Sequence, residues 1–455
     1  MWIAYPQVSQ EKGLPSESGP LGFQLHLTRK TFMRLAYMVP EFPGQTHTFF
    51  WREIAELEKL GIEVQITSTR RPKTKVHTWS DDAEQRTFYL HPLNPALLRD
   101  LGSAPILRLL QIFKMVVSAS DVSLRERFKL ACLVPYAIKL AAKAKREGWD
   151  HIHSHFCFYG ADIALFASIL SGIPYSISKH GPNWGVGNQF NKFKYARFAT
   201  VITQRMLAEV NHDLAGYLPA KVIVCSMGVD TNVFRRSKPY VPWTAEEPFK
   251  IASCGRITPD KGWEFLLEAV ANLIDKGYPI KLEIAGTGGK IFADYQASLV
   301  DICRVRDIET SVSFLGSLPE SAVISLLDKA HCFALASPEE PLGVVYMEAM
   351  AMALPTIGTD AGGVPELIEH KTTGLLVKPC DSRSIEEAIL WIMAHPESSL
   401  TMGVRARQWI EQHYQSQFGA KKLAQALGLD IPIFEPAANL VDMCGRHPSK
   451  RHQNN

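Results

Sequence analysis

The sequence predicts an α/β protein made of two doubly wound domains, and three observations carry that prediction. The first is length: 455 residues exceed one ordinary hydrophobic core and suit two of about 200 residues each. The second is the opening. The run Phe32 to Val39 reads as a strand, and Trp51 to Leu60 as a helix with Ile54, Leu57 and Leu60 at helical spacing. Gly61 caps that helix, and Ile62 to Thr67 is the next strand. The third is a second unit of the same kind. The apolar run Cys332 to Ala336 meets Ser337-Pro338, a helix reads from Gly343 to Met352, Leu354-Pro355 ends it, and Thr356 to Gly358 starts another strand. Strands alternating with helices imply parallel sheets, and such sheets hold ligands beyond the carboxyl ends of their strands.

Composition bounds the partners. A hydrophobic fraction of 46% and a charged fraction of 21% belong to a globular chain. Lys plus Arg number 49 and Asp plus Glu 46, a net +3. So balanced a chain has no bulk attraction to nucleic acid. The eight cysteines form no Cys-x-x-Cys pair, and Cys157, Cys254 and Cys332 sit in apolar surroundings. Reduced thiols in a cytoplasmic protein are expected. Residues 1–30 lack the basic start and apolar run of a signal peptide and are expected to be a disordered extension or a misassigned start.

The chemistry concentrates between Ser337 and Pro379. Pro338 cannot continue a sheet ladder, so the chain turns into a loop carrying Glu340. Glu348 follows eight residues on, inside the helix. Between them lies the helix N-terminus, where the amides of Gly343 and Val344 lack intrahelical partners. Those amides and the positive end of the helix dipole suit a diphosphate. A carboxylate cannot bind phosphate but can accept hydrogen bonds from sugar hydroxyls. Acids on both sides of an anion site therefore point to a nucleotide sugar.

The stretch Glu340-Pro341-Leu342-Gly343-Val344-Val345-Tyr346-Met347-Glu348-Ala349-Met350 resembles the E-x7-E signature of glycosyltransferase family 4, whose members are retaining enzymes of the GT-B fold. Gly362-Gly363-Val364-Pro365-Glu366 and Gly374-Leu375-Leu376-Val377 fit the same pattern. Gly255-Arg256 through Lys261-Gly262 resembles the family's Gly-Arg-x-x-x-x-Lys-Gly loop. Arg as a planar fork and Lys as a point charge, ahead of a helix, suit a diphosphate. The glycine loop Ala285 to Gly289 lacks the spacing of a dinucleotide fingerprint. Val312 to Gly316 resembles the strand before the family's Leu-Pro-Glu helix start, here Leu318-Pro319-Glu320.

In the first half, the loop Pro40 to Phe50 resembles that of exopolysaccharide glycosyltransferases of the colanic-acid and amylovoran type, with Thr46 in place of Ser and His47 in place of Glu. Gly44 leaves room there for an acceptor to approach the backbone. His180 ends the strand Ile173 to Lys179 and resembles the family's strand-end His near the donor sugar; Asn183 stands where the subgroup commonly has Asp. His151, His153 and His155 alternate along one strand face. No acid or Cys is spaced to complete a metal site, so packing is the preferred reading. Met227 to Phe234 resembles the family's turn at the end of the first domain, and Arg235 to Pro248 reads as the linker.

Between Arg99 and Arg146 the chain is helical and basic, with Arg108, Lys114, Arg125, Arg127 and Lys129 among apolar residues. Two readings stay open: solvated helix faces, or a surface resting on anionic lipid. Its longest apolar run falls far short of the ~20 residues of a membrane span.

The resemblance implies a GT-B fold, two Rossmann-like domains facing across a cleft. Residues 31–238 would be the acceptor domain, 239–410 the nucleotide-sugar domain, 411–430 a helix crossing back and 431–455 a polar tail. It implies transfer of a sugar with retention, probing catalytic roles for His180 and Glu340. Arg256, Lys261, Gly343, Val344 and Glu348 would bind the donor. The acceptor would be a glycan or lipid-linked sugar, in exopolysaccharide or cell-surface glycan synthesis. No cofactor and no metal are expected, since no Asp-x-Asp stands at a strand end. An epimerase on nucleotide sugars, or an inactive binding member of the family, is the alternative.

Overall fold

In the computed structural model, which describes residues 33–44, 48–72, 74–102, 104–181 and 186–432, the first sheet has Met33–Glu41 (β1) as an interior strand. Leu35 to Val39 are buried on both faces, as expected of a parallel strand covered by helices on two sides. Around it lie Ile62–Arg70 (β2), Phe88–Tyr89 (β3), His151–His155 (β4), Tyr175–Lys179 (β5), Ala199–Val201 (β6) and Val222–Val224 (β7). The order is β3-β2-β1-β4-β5-β6-β7, and every pairing is parallel. Leu35 pairs with Val64 on one side and His151 on the other. The order therefore reverses between β1 and β4.

The second sheet contains Phe249–Cys254 (β8), Ile280–Ala285 (β9), Val312–Gly316 (β10), Cys332–Ala334 (β11), Thr356–Thr359 (β12) and Leu375–Val377 (β13). Its order is β10-β9-β8-β11-β12-β13, again parallel, reversing between β8 and β11. Crevices at such reversals are where doubly wound sheets bind ligands.

Some elements differ from the sequence reading in extent. The first helix is Thr48–Lys59, one turn earlier than Trp51. Phe50 is fully buried and meets the rings of Tyr37 and His155 edge-on, so packing recruits that turn. The basic region consists of three helices, Ala96–Gly102, Ile106–Ser118 and Leu124–Glu147. The last opens with a capping box between Ser123 and Glu126 and ends at Gly148 in the left-handed conformation. Helix Ser382–Ala394 starts ahead of Ser384 because Asp381 accepts the Ser384 amide.

The chain returns to the first sheet at its far end. Helix Ser416–Leu427 packs along Thr48–Lys59. The Val229 amide donates to the Tyr414 carbonyl at 2.9 Å, and the Ser416 amide to the Val229 carbonyl at 3.1 Å. A Cβ on Gly228 would lie 2.4 Å from the Gln415 backbone, so only glycine allows this approach. Arg407 ties the crossing down by donating to the Thr231 and Phe234 carbonyls, each at 3.1 Å. The two tails, Thr46, His47 and Asn183 lie outside the described residues, apart from Ile431 and Pro432.

Candidate active site

The loops after β8 and β11 form the first half of the site. The 3-10 turn Pro259–Lys261 brings Lys261 to the carboxyl end of β8. Its Nζ lies 2.6 Å from Glu340 Oε2, and Ser337 Oγ donates to the same oxygen at 3.0 Å. The pair is largely withdrawn from solvent. The Glu340 loop is held from several sides. Tyr346 donates its hydroxyl to the Leu335 carbonyl, Thr359 to the Ser337 carbonyl, and the Gly363 amide to the Glu340 carbonyl, at 3.0, 2.6 and 2.8 Å. This explains the Gly-Gly of the motif. Gly362 has φ 62°, and a Cβ there would lie 2.0 Å from the Glu340 carbonyl oxygen. Gly343, also left-handed, caps the helix Val344–Ala351, and the Glu340 side chain passes 3.1 Å from where its Cβ would be.

The expected donor-binding residues thus divide. Lys261, Glu340, Gly343 and Val344 converge at the β8–β11 reversal. Arg256 stands beside them with its side chain 55% exposed, 3.7 Å from Asp260. Glu348 is engaged elsewhere: its Oε1 lies 2.8 Å from Nη2 of Arg52, which also meets Glu320 at 2.5 Å. The Arg52 guanidinium stacks 4.8 Å over the Phe234 ring. Burial pushes the Glu348 carboxyl up, and Arg52 pulls it back. Arg52 stays charged at any ordinary pH. Arg52 comes from the first domain and was not anticipated. It sits beside Trp51 on a helix that reads as ordinary, and no local signal marks it.

The strand ends of the first sheet supply the other half. His180 follows β5, and its Nε2 lies 3.0 Å from Nδ1 of His155 at the end of β4. His155 Nε2 is 3.5 Å from Glu53, whose carboxylate also accepts the Tyr37 hydroxyl at 2.5 Å. Burial pushes the Glu53 carboxyl up to about 7, opposed by the Tyr37 hydrogen bond. Glu53 was missed as well, because an acid one turn into an amphipathic helix looks solvated. His151 and His153 turn to Ser176, and His153 also to Ser178. They form a polar seam between β4 and β5. Among the described residues no group of His, Cys, Asp and Glu is arranged to hold a metal ion. Gly44 is buried just after β1.

The halves face each other closely. A Cβ on Gly181 would lie 3.4 Å from Pro341, the neighbour of Glu340. The amides of Gln204 and Arg205, which open the helix Gln204–Asp213, donate to the Glu366 carboxylate at 2.8 and 2.7 Å. A carboxylate at a helix N-terminus is favourably placed. Arg205 also reaches Glu339 at 3.0 Å. Glu366 of the motif therefore joins the domains at the rim of the cleft, with His180 and the Glu340 loop from opposite sheets inside it.

The chain is similar to known proteins. Residues 240–409 match the family model described as glycosyl transferases group 1. The chain is 28% identical over 213 residues to the amylovoran biosynthesis glycosyltransferase AmsK of Erwinia amylovora, covering 46% of this chain and 50% of that one. It is 30% identical over 214 residues to the putative colanic acid biosynthesis glycosyltransferase WcaL of Escherichia coli, covering 46% and 51%. The chain thus spans about half the length of these curated relatives. The structure resembles Anabaena HepE, solved in complex with UDP and glucose, with TM-score 0.66 and 17% identity over 87% of this chain and 99% of that one. It also resembles sucrose-phosphate synthase of Thermosynechococcus elongatus, with TM-score 0.67 and 17% identity over 87% and 98%. The fold is GT-B, two Rossmann-like domains.

Proposed function

We propose that the protein is a retaining glycosyltransferase that moves a sugar from a nucleotide diphosphate sugar to a hydroxyl of a glycan or lipid-linked acceptor, in exopolysaccharide or cell-surface glycan synthesis. One observation carries the reading. Lys261 and Glu340, from loops 79 residues apart in sequence, meet at the strand-order reversal of the second sheet, opposite the strand-end His180. The relatives named above and a fold neighbour solved with UDP and glucose support it.

The physical task is to stabilise a leaving diphosphate and an oxocarbenium-like centre. Arg256 and the amides of Gly343 and Val344 take the leaving charge, with Lys261 beside them. Glu340 holds donor sugar hydroxyls, and Lys261 keeps that carboxylate oriented until the sugar arrives. Glu348, held by Arg52, is the acceptor assigned to the ribose hydroxyls when the donor binds. His180 borders the reacting sugar. The acceptor oxygen bonds to the anomeric carbon on the face the phosphate leaves. The carbon–phosphate oxygen bond breaks, and the acceptor proton passes to a departing phosphate oxygen, so no covalent enzyme intermediate forms. Because protein cations and amides meet the leaving charge, turnover should survive EDTA; loss in EDTA with recovery in Mg²⁺ would overturn that part. The reading places the protein in the cytoplasm, in peripheral contact with the inner face of a membrane.

The test is release of nucleoside diphosphate from a panel of nucleotide sugars, with and without glycan acceptors. Release that requires both donor and acceptor, and is lost in Glu340→Gln, is expected. A donor sugar epimerised without release, or bound without turnover across the panel, would overturn transfer.

A further inference from the structure

Ten of the nineteen exposed large hydrophobic side chains among the described residues lie between Leu93 and Phe128, nine of them in the three basic helices of the first domain. We propose that this face is a docking surface for an anionic lipid bilayer. Along helix Ile106–Ser118, Ile106, Leu110, Phe113 and Val117 recur at helical spacing and are all exposed, Ile106 at 72%. The buried side of the same helix is also apolar, with Ile112, Met115 and Val116. A helix packed only on a domain core would turn polar residues outward; this one presents apolar residues on both sides. The next helix opens with Leu124 at 81% and Phe128 at 72%, one turn apart. Isolated exposed hydrophobics are ordinary, but a concentration of this kind marks an interaction surface.

Charge identifies the occupant. In residues 93–132 the exposed ionic side chains are Arg99, Lys114, Arg125 and Lys129, all cations. The acids of the same segment are engaged by partners within the protein. Asp100 is buried against Arg146 at 2.8 Å, Asp121 accepts the Gln189 amide at 2.6 Å, and Glu126 is occupied in the capping box. Apolar side chains interleaved with cations, and no exposed acid, match the boundary between acyl chains and anionic headgroups. A second copy of the chain would bring like charges together, which disfavours self-association. The helices cannot cross the bilayer as one rod. Ala96–Gly102 and Ile106–Ser118 are bent by 95° to each other, and no single helix among the described residues is long and apolar enough to span. They lie along the surface instead. This deepens the glycosyltransferase reading and rests on it for its purpose, access to a lipid-linked acceptor.

Vesicle flotation tests the surface without turnover, so docking and transfer can fail separately. The probes are vesicles of phosphatidylcholine alone and of phosphatidylcholine with about one-third phosphatidylglycerol. The intact chain should float with the anionic vesicles and much less with the neutral ones. Leu107→Glu with Phe113→Glu, and separately Lys114→Glu with Arg125→Glu, should each weaken anionic binding at least tenfold. Ile291→Glu, on an exposed hydrophobic of the other domain, should leave it unchanged. Nucleoside diphosphate release to a water-soluble acceptor should be unaltered in all three. Absence of binding by the intact chain, or binding that survives both sets of substitutions, would overturn the proposal. So would a dimer in sedimentation that those substitutions dissolve while vesicle binding stays absent, because the face would then belong to a second copy.

Discussion

Replacing Arg52 with Met tests the contact between the domains most directly. Arg52 and Glu348 are 296 residues apart in sequence, yet Nη2 and Oε1 are 2.8 Å apart with both side chains about nine-tenths buried. Glu320 is the more exposed partner, at 28%, and on loss of Arg52 it can rehydrate. Glu348 cannot. Breaking a buried pair from one side costs roughly 3–5 kcal/mol, because the remaining charge stays desolvated. Since Glu348 can instead take up a proton, as its burial favours, the low end, about 3 kcal/mol, is expected at pH 7. That is more than a hundredfold in the folding equilibrium, at about 1.4 kcal/mol per factor of ten. Urea unfolding of the parent, Arg52→Met, Glu348→Gln and the double variant measures it. With Glu348 neutralised, loss of Arg52 should cost at least about 1.5 kcal/mol less, a coupling typical of direct partners. The sign with pH follows. Without Arg52, the folded-state Glu348 carboxyl lies above its unfolded value, so stability is present at low pH and lost as pH rises through the folded-state value. The Arg52→Met deficit should therefore shrink between pH 7 and pH 5. Additive single effects, or a deficit that grows on acidification, would refute the reasoning.

Three further outcomes follow from the site. Arg256→Ala should weaken donor binding about tenfold and Lys261→Ala more, since a lost charge-assisted contact is worth roughly 1.5–3 kcal/mol and only Lys261 is also buried against Glu340; unchanged kinetics in either would remove it from the site. In calorimetry with a nucleoside diphosphate, affinity should fall in Glu348→Gln and hold in Glu340→Gln, because the bare nucleotide has no sugar beyond its phosphates; the reverse result would invert the donor orientation. Glu53 titrates near 7 in the folded chain against an ordinary value of 4.5, so its contribution is complete below the unfolded value and lost as pH rises through 7. The loss amounts to about 3 kcal/mol by pH 8, and thermal melts of Glu53→Gln, which can still accept the Tyr37 hydroxyl, should lack that slope.

Much of the candidate site's geometry was legible because its parts are local. The apolar runs of β1, β8 and β11, Pro338 in the loop after β11, and the glycines at 343, 362 and 363 each depend on a few contiguous residues. They placed Glu340, Lys261 and His180 beyond strand ends, where parallel topology gathers ligands. The outward apolar stripe of the basic helices was half legible: the cations and hydrophobics could be read, but not which side the core would cover. A pattern of two apolar faces has no phase until a domain packs on one of them.

The sequence by itself determined the strand–loop–helix order, the parallel α/β class and the loops that carry Lys261 and Glu340, because backbone propensity and hydrophobic periodicity act over one or two turns. Only the tertiary structure decided which ionisable and polar groups meet. Arg52 with Glu348, Glu53 with His155, and the Glu366 carboxylate on the amides of Gln204 and Arg205 join segments far apart in sequence. The preference of each group for a partner arises only after burial has removed water from both, and until the sheets pack, an arginine or glutamate on a helix face looks like any solvated charge.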